Sequence, residues 1–193
     1  MTHHAIWQKK FVPQLRLDVY FPRWHPMNRM GETRTYPKIG VNVLVFRGWN
    51  LLLGRRRTSD DRRMWCPPGG HLEWGESVFA CAHREVLEET AVRISNLIRG
   101  PYTNDRSCPD NMHYVSLFVL ADHESGSAEN REPDVFDSWQ WFDVECLPSP
   151  LFYNIANLIR LKSLRSLRNW HKAVLSESKY QNRNDLMVSN GIE

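Results

Sequence analysis

The 193-residue chain lacks any run approaching 18 consecutive apolar residues, and its opening MTHHAIWQKK has no apolar signal core. Nothing in it therefore directs the chain to or through a membrane, and a cytoplasmic location is expected. Cysteine is sparse: Cys66, Cys81, Cys108 and Cys146 include no CxxC spacing. That excludes a paired-thiol motif, and reduced thiols are expected. Net charge is small too, with 25 Lys and Arg against 22 Asp and Glu for a net +3, too little by itself to argue for nucleic acid or an acidic membrane. There is no internal repeat. What remains is ordinary for a soluble globule, 41% hydrophobic and 24% charged, with eight Trp that offer stacking surfaces. A chain of this size makes one domain that buries about two thirds of its unfolded surface.

The most informative stretch is WCPPGGHLEWGESVFACAHREVLEETAV, from Trp65 to Val92. On a helix, Glu85 and Glu89 lie one turn apart with Glu88 beside them, so three carboxylates share one surface. A solvated acidic face is the usual explanation of such a run. The phase opposes it, because Val78, Cys81, Ala82 and Val92 project in nearly the same direction as Glu85 and Glu89. Acids that continue an apolar stripe point toward the protein body. Crowded carboxylates held partly out of water take up protons unless cations neutralise them. Such hard oxygen ligands suit Mg²⁺ or Mn²⁺. Ahead of them, Pro67, Pro68, Gly69 and Gly70 predict a rigid-then-permissive turn that exposes backbone groups to a ligand. Glu76 and Ser77 then open the helix.

Gly70, five residues, Glu76, seven residues, Arg84-Glu85-Val86, one residue and Glu88-Glu89 match the box GX5EX7REUXEEXGU, with U a bulky aliphatic. Ala91 stands where the box has its last glycine, which bears on the turn at the helix end. On these residues the chain resembles the Nudix hydrolase family, and HYVSLFV and EPDVFDSWQWF are similar to its MutT-like nucleotide-pool branch. The resemblance runs from about Gly40 to Leu147.

Beside the motif, VNVLVF, the turn GWN and LLLGRR read as a β-hairpin. Arg55, Arg56 and Arg57 end it, and guanidinium forks there suit phosphate, although surface charge explains any one of them equally well. RISNLIRGPY reads as a bent strand, HYVSLFVLA as a central strand of a mixed sheet, and SWQWFD as a strand with Trp139 and Trp141 on one face. A polar loop spans Asp122 to Asp134. After Pro148-Ser149-Pro150, one amphipathic helix or two in succession cover the second sheet face. Arg160, Lys162, Arg165, Arg168 and Lys172 are expected on its solvated side. This predicts an N-terminal extension, residues 1–36, packing on a domain of residues 37–175, and a disordered polar tail, 176–193.

Strands interleaved with one motif helix and one C-terminal helix predict an α/β/α sandwich with a mixed β-sheet, which the Nudix resemblance also implies. It implies too a Mg²⁺-dependent (or Mn²⁺-dependent) pyrophosphohydrolase acting on a nucleoside diphosphate linked to a further group. Glu88, Glu89 and the carbonyl of Gly70 are expected to hold metal, with Glu85 as ligand or general base and Glu132 as a further acid from the loop. Arg84 is expected to orient the helix acids, Glu76 to support the site, and Arg55, Arg56, Gly69 and Gly70 to meet substrate. The favoured substrate is a nucleoside triphosphate, oxidised ones among the candidates, giving monophosphate and pyrophosphate. A nucleotide sugar or ADP-ribose is the alternative enzyme reading, and a non-catalytic nucleotide or RNA sensor the alternative of another class. A small-molecule nucleotide is the expected partner, with no nucleic acid and no membrane, and a homodimer stays open.

Overall fold

The computed structural model describes residues 36–58, 62–106 and 112–189, with side chains as far as 178. The β-rich run IGVNVLVF forms β1 (Lys38–Arg47), which turns through Gly48 and Trp49 into β2 (Asn50–Arg57). Gly48 takes φ 65°, the left-handed angle that this tight turn needs. Near the turn the strands pair antiparallel, Phe46 with Leu51 and Arg47 with Asn50. Beyond it they part and take separate partners on their facing sides. β1 pairs with β4 (Gly69–His71), and β2 pairs with β3 (Arg63–Cys66).

The outer edges of the hairpin are also paired. β6 (Tyr114–Ser125) runs parallel to β1 from Lys38 to Phe46, and β5 (Arg93–Asp105) lies antiparallel to β6. β7 (Phe136–Asp143) pairs with β2. The result is a mixed seven-stranded sheet that opens as a wedge between β1 and β2, with β3 and β4 in the opening.

Alternation along β1 sends Val41, Val43 and Val45 to one face and Leu44 and Phe46 to the other. The first group packs with Cys81, Ala82 and Val86 of α1 (Val78–Thr90). The second packs with Ile155 and Leu158 of α2 (Tyr153–Leu161) and with Leu164 and Leu167 of α3 (Leu164–Ser189). Helices on both faces make the expected α/β/α sandwich. Trp139 and Trp141 share the α1 face as alternation requires. Among the described residues no helix is long and apolar enough to cross a membrane.

Several expectations need correction. The Gly69–Gly70 turn is a short strand, because its backbone completes the facing edge of β1. The Asp122–Asp134 loop is shorter, since β6 continues to Ser125. The polar stretch from Ser176 is not irregular: α3 runs on to Ser189, with neither Pro nor Gly between Leu164 and Ser189 to stop it. Arg168, expected in solvent, is 6% exposed. It donates to Asp122 at 2.6 Å, to the Gly48 carbonyl at 3.0 Å and to His171 Nδ1 at 2.8 Å. These bonds fasten α3 to the hairpin turn. Of the extension 1–36, all but Tyr36 lies outside the described residues, as does Cys108.

α1 begins at Ser77, whose hydroxyl accepts from Ala80 N–H at 3.1 Å, and ends at Ala91, whose N–H donates to Leu87 O. Ala91 adopts φ 60°, ψ 4°, the left-handed conformation that the missing glycine would favour. An alanine there is strained by about 1 kcal/mol. Ala91→Gly is therefore expected to raise stability by about 0.5–1 kcal/mol, read as a higher urea midpoint with an unchanged slope. An unchanged or lower midpoint contradicts this account of the cap.

Candidate active site

Helix phase carries Glu89 inward from the last turn of α1, where it is 3% exposed. Its Oε2 accepts from Gly69 N–H at 3.0 Å. Burial, followed by repulsion from Glu85 and Glu132, outweighs that bond and the charge of Arg56, and pushes the Glu89 carboxyl up to about 8. One turn earlier the Glu85 carboxylate lies against Gly70. A side chain at position 70 would have to displace the Glu85 carboxylate, which lies where its Cβ would stand. Burial raises Glu85 as well, opposed by the Arg84 hydrogen bond.

Arg84 holds the rest of the cluster. Its Nε and Nη2 make a fork to the two oxygens of Glu76 at 2.9 and 3.0 Å, and Nη1 donates to Glu85 at 2.7 Å and Glu88 at 3.2 Å. The Arg84 fork draws the Glu76 carboxyl down to about 2. Glu88, read as one of three acids on the inner surface, is exposed over 55% of its side chain, because the helix turns it to the rim. The loop after β6 returns across the helix end, Glu129 N–H donating to Thr90 O and Arg131 N–H to Glu89 O. This brings half-buried Glu132 into the field of Glu85 and Glu89.

Gly69 and Gly70 have a second role, as one wall of a cleft of about 370 Å³ that opens in the wedge of the sheet. The acids do not line it; they lie behind the two glycines. Arg56 and Cys66 also line it, together with Asn42, the cross-strand partner of Gly69, and with Asp105, Ser116, Phe152 and Asn154. Arg56 lines the cleft with its guanidinium 5.5 Å from the Phe136 ring centroid. Arg55, its expected companion, is exposed and does not line the cleft, since strand alternation sends it to the opposite face. Arg57 is paired with Asp137 at 2.8 Å.

This polar lining was not expected from the sequence. Asp105, 2% exposed, accepts from Thr103 at 2.9 Å, Ser116 at 2.6 Å and Asn157 at 2.7 Å. The available signal was Asn42, a polar residue inside the apolar run VNVLVF.

The NUDIX domain family matches residues 36–161. The chain belongs to the Nudix family. Among its relatives, the NAD-capped RNA hydrolase NudC of Chromobacterium violaceum is 36% identical over 129 residues, 65% of this chain and 46% of the relative. The RNA pyrophosphohydrolase of Bartonella bacilliformis is 28% identical over 171 residues, 74% of this chain and 99% of the relative. This Nudix chain thus spans less than half the length of the NudC protein it matches. Among solved structures, the MutT NUDIX hydrolase of Burkholderia pseudomallei superposes with a TM-score of 0.61 at 27% identity, covering 67% of this chain and 99% of the other.

The Nudix acids offer only oxygen, carry more negative charge than Arg84 offsets, and hold Glu89 protonated near neutral pH. That donor chemistry fits a hard divalent cation. Among the described residues no three His, Cys, Asp or Glu side chains already converge as a ligand set; Arg84 bridges Glu76, Glu85 and Glu88 instead. A carboxyl raised by folding favours the folded state below its unfolded value, and that contribution is lost as pH rises through the folded value. For Glu89 the window runs from 4.5 to about 8. In chelator, Glu89→Gln is therefore expected to raise Tm at pH 8 and to change it little at pH 5. Equal effects at the two pH values contradict a buried, proton-holding Glu89.

Proposed function

We propose that this chain hydrolyses a phosphoric anhydride bond in a nucleoside 5′-polyphosphate, with a nucleoside triphosphate cleaved to monophosphate and pyrophosphate as the first reading. The observation that carries it is the shared wall: Gly69 and Gly70 face the cleft on one side and touch Glu89 and Glu85 on the other. A polyphosphate lying against these glycines has acids behind it and the Arg56 guanidinium beside it.

Nudix hydrolases generally use divalent metals such as Mg²⁺. In this reading Glu88, Glu89 and the Gly70 carbonyl hold the cation, with Glu85 and Glu132 completing the shell or, for Glu85, taking a proton from water. When bound, the cation supplies charge neutralisation at the phosphate oxygens. Water adds to one phosphorus and the bridging P–O bond breaks, so that the oxygen leaves with the departing phosphate. Arg84 keeps Glu85 and Glu88 turned to the site while Glu76 anchors Arg84, and Arg56 binds phosphate charge.

RNA is the second reading, favoured by the relatives named NAD-capped RNA hydrolase and RNA pyrophosphohydrolase. It departs from the expectation of no nucleic-acid partner and leaves the reacting centre unchanged. Comparing a free nucleoside triphosphate with a 5′-triphosphorylated RNA of the same first nucleotide separates the two.

Glu89→Gln is expected to lower kcat by roughly 10³-fold, about 4 kcal/mol of barrier. Arg56→Ala is expected to raise KM by about tenfold, and Arg55→Ala to leave it within about twofold. Pyrophosphate release in excess Mg²⁺ measures both. Retained turnover in Glu89→Gln, or equal effects at the two arginines, contradicts the proposed arrangement.

A further inference from the structure

Beside Gly69 the cleft lining holds a polar pair whose orientation the backbone fixes. Asn154, at the start of α2, accepts from Ile155 N–H through Oδ1 at 2.6 Å. A backbone N–H only donates, so that contact assigns Oδ1 of Asn154 and leaves its Nδ2 to point the other way. Nδ2 there donates to Asn42 Oδ1 at 2.5 Å. Asn42 must present its oxygen to Asn154, and so its own Nδ2 is the group left over. Among the described residues nothing accepts from that nitrogen.

Asn42 lies in the middle of β1, 7% exposed, on the α2 face, and it lines the cleft. The flanking residues close other options. Both oxygens of Asp105 are engaged by Asn157, Thr103 and Ser116. Phe152 and Tyr153, with ring centroids 4.2 Å apart, supply aromatic surface on the same wall. This part of the cleft therefore offers two aromatic rings inclined at 44° to each other and a fixed N–H donor. Gly69, the cross-strand partner of Asn42, lies directly beside it, and Arg56 lines the same cleft.

We propose that Asn42 is a specificity residue that reads the nucleobase, donating to a ring carbonyl, so that the site takes keto bases in preference to amino bases. The proposal rests on the nucleotide reading above. A keto base presents an acceptor where its amino counterpart presents N–H. Opposing the Asn42 donor with a second donor leaves both without a partner. Asn154 acts through Asn42, as a positioning residue that prevents its amide from rotating.

Hypoxanthine and adenine test this directly, because they share size and stacking surface and differ at the 6-position carbonyl or amine. Uracil and cytosine provide the same contrast in a pyrimidine. Binding of IMP, AMP, UMP and CMP to the full chain is measured by calorimetry, and turnover of the four corresponding triphosphates by pyrophosphate release. The wild type is expected to prefer each keto member by at least about tenfold in Kd. Asn42→Leu is expected to bring both ratios close to one, and Asn42→Asp, which replaces the donor by an acceptor, to reverse them. Asn154→Ala is expected to reduce the preference partway.

Absence of a keto preference in wild-type binding overturns the proposal whether or not any variant folds. A preference that survives Asn42→Leu overturns it as well. A keto preference in binding that Asn42→Leu abolishes, with no turnover of any triphosphate, upholds the Asn42 assignment and defeats the triphosphate reading. Turnover without base preference does the reverse.

Discussion

A carboxyl group kept out of water must be neutral, hydrogen-bonded or paired with a cation, and Glu89 is placed so that this choice governs the rest of the site. Folding buries its side chain and gives it one backbone donor, Gly69 N–H. Two further acids, Glu85 and Glu132, act on it with the same sign of charge. A proton or a cation must resolve that conflict. The helix tolerates it because Cys81, Ala82 and Val86 on the same stripe are anchored in the core against β1.

The surroundings are arranged around that constraint. The hairpin β1–β2 separates only a few residues after its turn, and the gap admits β3 and β4. β4 in turn needs glycine at position 69, and a neighbouring side chain fills the space at position 70. At Gly69 a Cβ would stand 2.1 Å from Val41 O, and at Gly70 the Glu85 carboxylate occupies the space. Arg84 then distributes its charge among Glu76, Glu85 and Glu88, so that the outer acids are paired while the inner one is not. The wedge, the glycines and the acids thus form one unit that joins a cleft to a negative cluster.

Much of this unit was legible in the sequence because it is local. Helix periodicity placed Glu85 and Glu89 on the apolar side, strand alternation placed Trp139 and Trp141 together, and the spacing from Gly70 to Glu89 matched the family. What was not legible depends on pairing across the chain. Arg55 and Arg56 are indistinguishable until the register of β2 shows which face each takes. Glu88 seemed equivalent to its neighbours until the angle of α1 turned it to the rim. Arg168 reads as part of a solvated helix face, since its burial needs Gly48 and Asp122, distant in sequence, to meet the same surface of α3. The Asn42–Asn154 pair spans 112 residues, beyond the reach of any periodicity.

The most direct test of a buried acid that exchanges its proton for a cation is proton release on metal binding. Metal-free protein is titrated with Mg²⁺ by calorimetry at pH 7 in two buffers of different ionisation enthalpy, and the buffer dependence counts the protons set free. With the Glu89 carboxyl at about 8, close to one proton per bound cation is expected at pH 7, falling toward none at pH 9.5 and absent in Glu89→Gln. Mg²⁺ binding with no proton release at pH 7, or with the same release in Glu89→Gln, would contradict the account.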